Sequence, residues 1–304
     1  MKHDRDTASA PVPGGPGPRA GAPSAPRPIP HLVSADWLAS ELTRSGDLAI
    51  VDVRWKLGEP GAGERAYRAG HIPGAVFADI DRDLASPPGD RGRHPLPSAA
   101  DFESLMRRLG IGDHTRVVAY DESGGAYAAR LWFLLRYFGH ETGAVLDGGL
   151  PAWVAGGHGL ETNVPHPAPA EFHAAERTEM LLPREEVLPA VGQGVLLLDA
   201  RAPERFRGDT EPVDPRPGHI PGAVNAPFAG NLENGRFSSP ETLKARFEKL
   251  GAGKRPTAVY CGSGVTATHD LLALALAGYE DARLYPGSWS EWSRDPKNPI
   301  ATGE

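Results

Sequence analysis

A single cysteine, Cys261, stands among 304 residues. That scarcity excludes an internal disulfide framework, a CxxC redox pair and any cysteine-rich zinc site, so the chain has no need of an oxidising compartment. Positive charge is also short. Against 39 Asp and Glu there are 32 Lys and Arg, a formal net charge of -7, which removes a general attraction for nucleic acid and points to small-molecule or protein partners. No apolar run reaches the length of a membrane span. The first thirty residues have neither the apolar core of a secretory signal nor a twin-arginine pair, and a cytoplasmic location is expected. Those same residues are dominated by Pro, Gly, Ala and Ser, too poor in large apolar side chains to offset the entropy of ordering. A disordered tail is expected over 1–30.

What the sequence does contain is a repeat. His71-Ile72-Pro73-Gly74-Ala75-Val76 recurs letter for letter as His219-Ile220-Pro221-Gly222-Ala223-Val224. Upstream of each copy an apolar run closes on Asp-x-Arg, as Asp52-Val53-Arg54 and Asp199-Ala200-Arg201. Downstream, Val117-Val118-Ala119-Tyr120 matches Thr257-Ala258-Val259-Tyr260. Leu146-Asp147-Gly148-Gly149 with Trp153 likewise matches Leu284-Tyr285-Pro286-Gly287 with Trp292. With 40% hydrophobic residues the chain can bury two ordinary cores. The repeat predicts domains over 31–160 and 183–304, joined by an extended linker over 161–182 that carries Pro165, Pro167 and Pro169.

Within each module, short apolar runs alternate with helical patterns. In the second, helices are expected over 184–191, 240–250 (opened by Ser239, closed by Gly251) and 266–277, with strands over 195–199, up to Tyr260, and near Leu284. Such strands argue for an α/β fold in which each domain is a mostly parallel sheet flanked by helices. Ligands of these sheets bind beyond the carboxyl ends of the strands, where Cys261 falls. The turn Cys261-Gly262-Ser263-Gly264-Val265-Thr266 follows the strand at once. Its two glycines relax the backbone restrictions that a side chain imposes, so several N–H groups can converge on one centre, and the next helix aims its positive end there. An anionic sulfur is favoured by such a nest. The equivalent position in the first module is Asp121, so the fold itself does not require a thiol there. A cysteine phosphatase or arsenate reductase needs an Arg six positions after its Cys to clamp phosphoryl oxygens. Here that position is Ala267.

The duplicated module, with Asp-x-Arg, HIPGA and a strand-Cys-loop-helix in the second copy only, resembles the two-domain rhodanese family of thiosulfate and 3-mercaptopyruvate sulfurtransferases. The loop spelled Cys-Gly-Ser-Gly-Val-Thr resembles the mercaptopyruvate members, since it lacks the basic residues that suit a doubly charged thiosulfate. The resemblance implies tandem rhodanese-like domains and a ping-pong cycle through a Cys261 persulfide, with no cofactor and no metal. It implies catalytic roles for Cys261, Ser263, His94 and Asp81, the last three as a proton relay. It implies substrate contacts from Arg205, Arg216, Gly262, Gly264, Val265 and Thr266. The expected partners are a small-molecule sulfur donor and an acceptor such as thioredoxin, a low-molecular-weight thiol or cyanide, with no nucleic acid and no membrane. Thiosulfate as the donor, or a carrier whose persulfide is loaded by a partner protein, are the alternatives. His71 and His219 occur in both modules, including the one without a thiol, and are expected to shape the Pro-Gly turn.

Overall fold

The computed structural model describes residues 28–44 and 46–304. In the first half, β1 (Leu32–Val33), β2 (Leu48–Asp52), β3 (Val76–Phe77), β4 (Arg116–Tyr120) and β5 (Gly143–Leu146) make one sheet in the order β1-β5-β4-β2-β3, every pair parallel. Helices α1 (Ala35–Leu42), α2 (Ala62–Ala69), α3 (Ala99–Arg108), α4 (Ala128–Tyr137) and α5 (Gly149–Ala155) flank it. The second half repeats the plan. There β6 (Leu196–Asp199), β7 (Val224–Asn225), β10 (Thr257–Tyr260) and β11 (Arg283–Leu284) form a parallel sheet in the order β11-β10-β6-β7. Helices α6 (Val187–Gly192), α7 (Pro203–Arg207), α8 (Pro240–Leu250), α9 (Ala267–Leu276) and α10 (Ser288–Trp292) surround it. A hairpin of β8 (Leu232–Glu233) and β9 (Arg236–Phe237) reaches across to the first half, where the Phe237 amide donates to Asp147 at 2.9 Å.

Local signals explain most boundaries. Ser239 accepts from the Thr242 amide at 3.2 Å and so opens α8, and Gly251 closes it at φ 105°. The helix expected over 184–191 instead begins as a tight turn, Arg184–Glu186, before α6. Residues 1–27, most of the expected tail, lie outside the described residues, and Ile29 is already buried in the core between β1, β2 and α5. The segment between the halves runs extended and lays Phe172 edge-on against Phe102 of α3, 5.6 Å between rings.

The repeated letters have one structural cause. Arg54 makes a side-on pair with Asp52 and donates to the Gly70 carbonyl at 2.8 Å, and Arg201 does the same to Asp199 and to Gly218 at 2.7 Å. Tyr120 and Tyr260, closing β4 and β10, accept from the amides of Ile72 and Ile220 at 3.2 and 3.1 Å. His71 stacks on Tyr67 and His219 on Phe206, each donating through Nδ1 to that residue's carbonyl at 2.8 Å. Each HIPGA turn is thereby tied to the ends of its two central strands.

Helices α4 and α9 pack on one another between the halves, each with nine of its ten residues buried. Helices buried on nearly every side are enclosed by protein, and beside this pair the loops that carry His94 and Ser263 meet.

Candidate active site

Cys261 follows β10 and is pinned from below. Its amide donates to Ser288 Oγ at 3.1 Å, while its carbonyl and that of Gly262 accept from the amides of Trp289 and Ser290 at 2.9 and 2.8 Å. The Gly264 amide reaches the sulfur at 3.2 Å. Gly264 has φ 77°, and a Cβ there would lie 2.4 Å from the Pro286 carbonyl oxygen, so glycine is required twice over. Gly262 departs from expectation: its φ is not in the left-handed region, and what a side chain would meet is Arg93 Nη2 at 3.0 Å. What approaches this glycine is a guanidinium. Cys261 itself is only 1% exposed, so the thiol is buried and is not presented on the surface.

The first half shows what the nest binds. Asp121 places Oδ1 against the amides of Ser123 and Gly125 and Oδ2 against those of Tyr127 and Ala128, all at 2.8 to 2.9 Å. Four converging N–H groups hold one built-in carboxylate. In the second half the corresponding amides of Ser263 and Val265 donate to no protein group among the described residues. Val265 turns its side chain into the core, so only its backbone faces the nest, and Thr266 occupies the N-cap of α9 without a side-chain capping bond.

Three residues distant in sequence meet beside this loop. His94 Nδ1 lies 2.7 Å from Ser263 Oγ, and His94 Nε2 lies 2.9 Å from Asp81 Oδ1. Trp55 Nε1 fixes the other Asp81 oxygen at 2.8 Å. Burial lowers the His94 pKa below 6.5 despite the opposing pull of Asp81, with the Arg130 and Arg93 charges acting in the same direction as burial. Arg130, on α4 and fully buried, donates to the carbonyls of Leu84, His94, Pro95 and Gly264 at 3.2, 3.0, 3.4 and 2.9 Å. One guanidinium thus ties the histidine segment of the first half to the cysteine loop of the second.

The arginines require a correction. Arg205 lies near the loop, with Nη1 3.5 Å from where a Gly262 Cβ would be. Arg216 does not. Its guanidinium is occupied by the carbonyls of Trp292, Ser293, Asp295 and Asn298, where it closes the end of α10. Only one residue separates Arg216 from Gly218, whose carbonyl accepts from Arg201 at 2.7 Å. The second guanidinium at Gly262 is Arg93, which sequence reasoning missed although it adjoins His94 in Arg91-Gly92-Arg93-His94. A cavity of about 170 Å³ is lined by Trp55, Asp81, Arg93 and His94 among other residues of the first half. A larger one of about 550 Å³ lies between α2, α3 and the connecting segment and contains none of them.

The model for the rhodanese-like domain matches residues 34–156 and again 184–295. The chain belongs to the rhodanese family. Among rhodanese relatives, a Pseudomonas aeruginosa protein named "Probable 3-mercaptopyruvate sulfurtransferase" is 47% identical over 90% of this chain and 99% of its own length. A Mycobacterium tuberculosis protein named "Putative thiosulfate sulfurtransferase SseB" is 43% identical over 90% of this chain and 97% of its own. The crystal structure of the Escherichia coli 3-mercaptopyruvate enzyme SseA is similar with a TM-score of 0.75 and 36% identity, covering 86% of this chain and all of that one. The tandem rhodanese architecture expected from the resemblance, with its two modules expected from the repeat, is thus the architecture found.

Proposed function

We propose that this rhodanese is a sulfurtransferase that takes sulfur from 3-mercaptopyruvate onto Cys261, releases pyruvate, and passes the sulfur to a thiol or cyanide. The observation that carries the choice of donor is the Ser263–His94–Asp81 alignment beside a loop without basic residues. Sulfite leaves thiosulfate as a stable anion and needs no proton, whereas the enolate leaving mercaptopyruvate must be protonated at C3. A proton relay serves the second reaction. The names of the relatives at 47% and 36% identity point the same way, and that of the relative at 43% points to thiosulfate.

In this reading the relay accepts the Cys261 proton through Ser263 onto His94, and Asp81 steadies the imidazolium. The thiolate attacks the mercaptopyruvate sulfur, an S–S bond forms as the C3–S bond breaks, and the electron pair passes to the enolate. His94, a stronger acid than an ordinary histidine because of its burial, returns the proton to C3. Pyruvate and a Cys261 persulfide result. The loop amides hold the outer sulfur as Asp121 is held in the other half, until an acceptor thiolate attacks it and Cys261 leaves as thiolate. Thioredoxin or a low-molecular-weight thiol suits that step. Among the described residues no helix is long and apolar enough to cross a membrane, and the reading places the enzyme in the cytoplasm.

Intact-protein mass after brief incubation with 3-mercaptopyruvate or thiosulfate, with pyruvate followed and Cys261→Ser as control, tests it. One added sulfur from mercaptopyruvate with pyruvate released is expected. Faster loading by thiosulfate would reverse the donor assignment, and loading by neither would leave the protein-fed carrier.

A further inference from the structure

Two guanidiniums, one from each half, meet at Gly262. Asp214 lies between them: Arg93 Nη1 pairs with its Oδ1, and Arg205 Nη2 lies 3.2 Å from its Oδ2. Arg205 is further held by Glu211 at 2.7 Å, and Glu211 by Arg201 at 3.2 Å, which is locked to Asp199. The chain of Asp199, Arg201, Glu211, Arg205, Asp214 and Arg93 alternates in sign and is balanced. Any further anion must therefore be recognised by directed N–H groups and not by excess charge.

Those groups exist. Arg93 Nε is buried without a hydrogen-bond partner, and Arg93 Nη2 and Arg205 Nη1 have no acceptor among the described residues. Both free Nη atoms point at Gly262, at 3.0 and 3.5 Å from the position of an added Cβ. Arg93 is aimed by its backbone, whose amide donates to Ser290 Oγ at 3.0 Å, and by the close seating of Gly92 on Gly287. The same side chain lines the cavity shared with Asp81 and His94.

We propose that Arg93, supplied by the half without the thiol, binds the anionic end of the sulfur donor together with Arg205, over the face of Gly262 and next to Cys261. The proposal rests on the sulfurtransferase reading for its substrate, but not for its site. A carboxylate seated on the Nε–Nη2 edge of Arg93 receives two parallel N–H bonds, which fixes the donor's orientation with its sulfur toward the nest. Recognition of donor and provision of His94 then come from one short loop, so docking of the two halves assembles both at once.

Arg93→Gln and Arg93→Lys test this, each checked for an unaltered thermal midpoint. The first readout is turnover of 3-mercaptopyruvate against its neutral methyl ester. Arg93→Gln should raise KM for the acid by about tenfold to a hundredfold, the loss of a charged hydrogen-bonding pair, and leave kcat/KM for the ester within about twofold. Equal losses on acid and ester, or no change on either, overturn the proposal. The second readout needs no turnover: pyruvate should protect Cys261 of the parent protein from alkylation by neutral iodoacetamide, and at least about tenfold more pyruvate should be needed in Arg93→Gln. Should the glutamine variant not fold, Arg93→Lys, which keeps the charge but not the fork, must show the same weakening. Pyruvate protection that ignores Arg93 refutes the site. Protection that depends on Arg93 in a protein that turns over neither donor keeps the site and removes the sulfurtransferase reading.

Discussion

Replacing Arg130 by Met should separate the two halves of the active site. The side chain is fully buried, and three of its four acceptors, the carbonyls of Leu84, His94 and Gly264, receive no other hydrogen bond among the described residues; Pro95 also accepts from the Ser86 amide. Burial lowers the guanidinium pKa to about 10, and the opposing charge is that of Cys261. Met fills nearly the same volume but leaves three buried carbonyls unpaired at about 1–3 kcal/mol each. Removing a buried cation returns several kcal/mol of desolvation, and the expected net loss is about 3–5 kcal/mol, the range seen when one side of a buried polar cluster is deleted. Because the same group spans His94 and Gly264, a shift of an ångström between them should lower kcat about a hundredfold even at temperatures where the variant is folded. Denaturant unfolding gives the first quantity, and pyruvate release well below the transition gives the second. Arg130→Lys, able to reach some of these carbonyls, should fall between. A methionine variant within about 1 kcal/mol of the parent and with parental kcat would show that Arg130 only fills space.

Other outcomes follow from the same geometry. Because burial holds His94 below 6.5, the neutral form that the proposed relay requires persists as pH falls past that value; the acid limb of kcat/KM for mercaptopyruvate should lie below pH 6.5, and Asp81→Asn should displace it further down. Ser263→Ala should reduce mercaptopyruvate turnover about a hundredfold or more while thiosulfate loading changes much less, as only the first donor needs the relay; equal losses would count against it. On α9, burial lowers His269 to about 4 and raises its neighbour Asp270 to about 7. The histidine term is fully present above 6.5 and is lost as pH falls toward 4. The aspartate term is fully present below 3.8 and is lost as pH rises through 7. The two oppose each other between pH 4 and 6.5, so Asp270→Asn should leave a stability that rises by about 3 kcal/mol across that window, measured by unfolding at several pH values.

Much of this protein is legible in its letters because repeats, turns and caps are local. The recurrence of Asp-x-Arg and HIPGA identified two modules, and the strand, turn and helix around Cys261 follow from residues adjacent in sequence. Ser239 and Gly251 even set both ends of α8. The cysteine and Asp121 at matched positions showed that the fold itself does not require a thiol there, whereas the four amides that hold Asp121 appear only in the structure. Other features depended on contacts between residues far apart in the chain, as much as 197 positions for Arg93 and Ser290. Ser263, His94 and Asp81 could be associated only by family resemblance, since spacing carries no trace of a docking that α4 and α9 bring about. Arg216 looked available because a sequence does not show the carbonyls at the end of α10, and Arg93 looked ordinary because nothing local places it over Gly262. Helix caps and strand runs are decided by neighbours along the chain, whereas the free donors of a guanidinium are decided by which groups the fold has already brought to its other side.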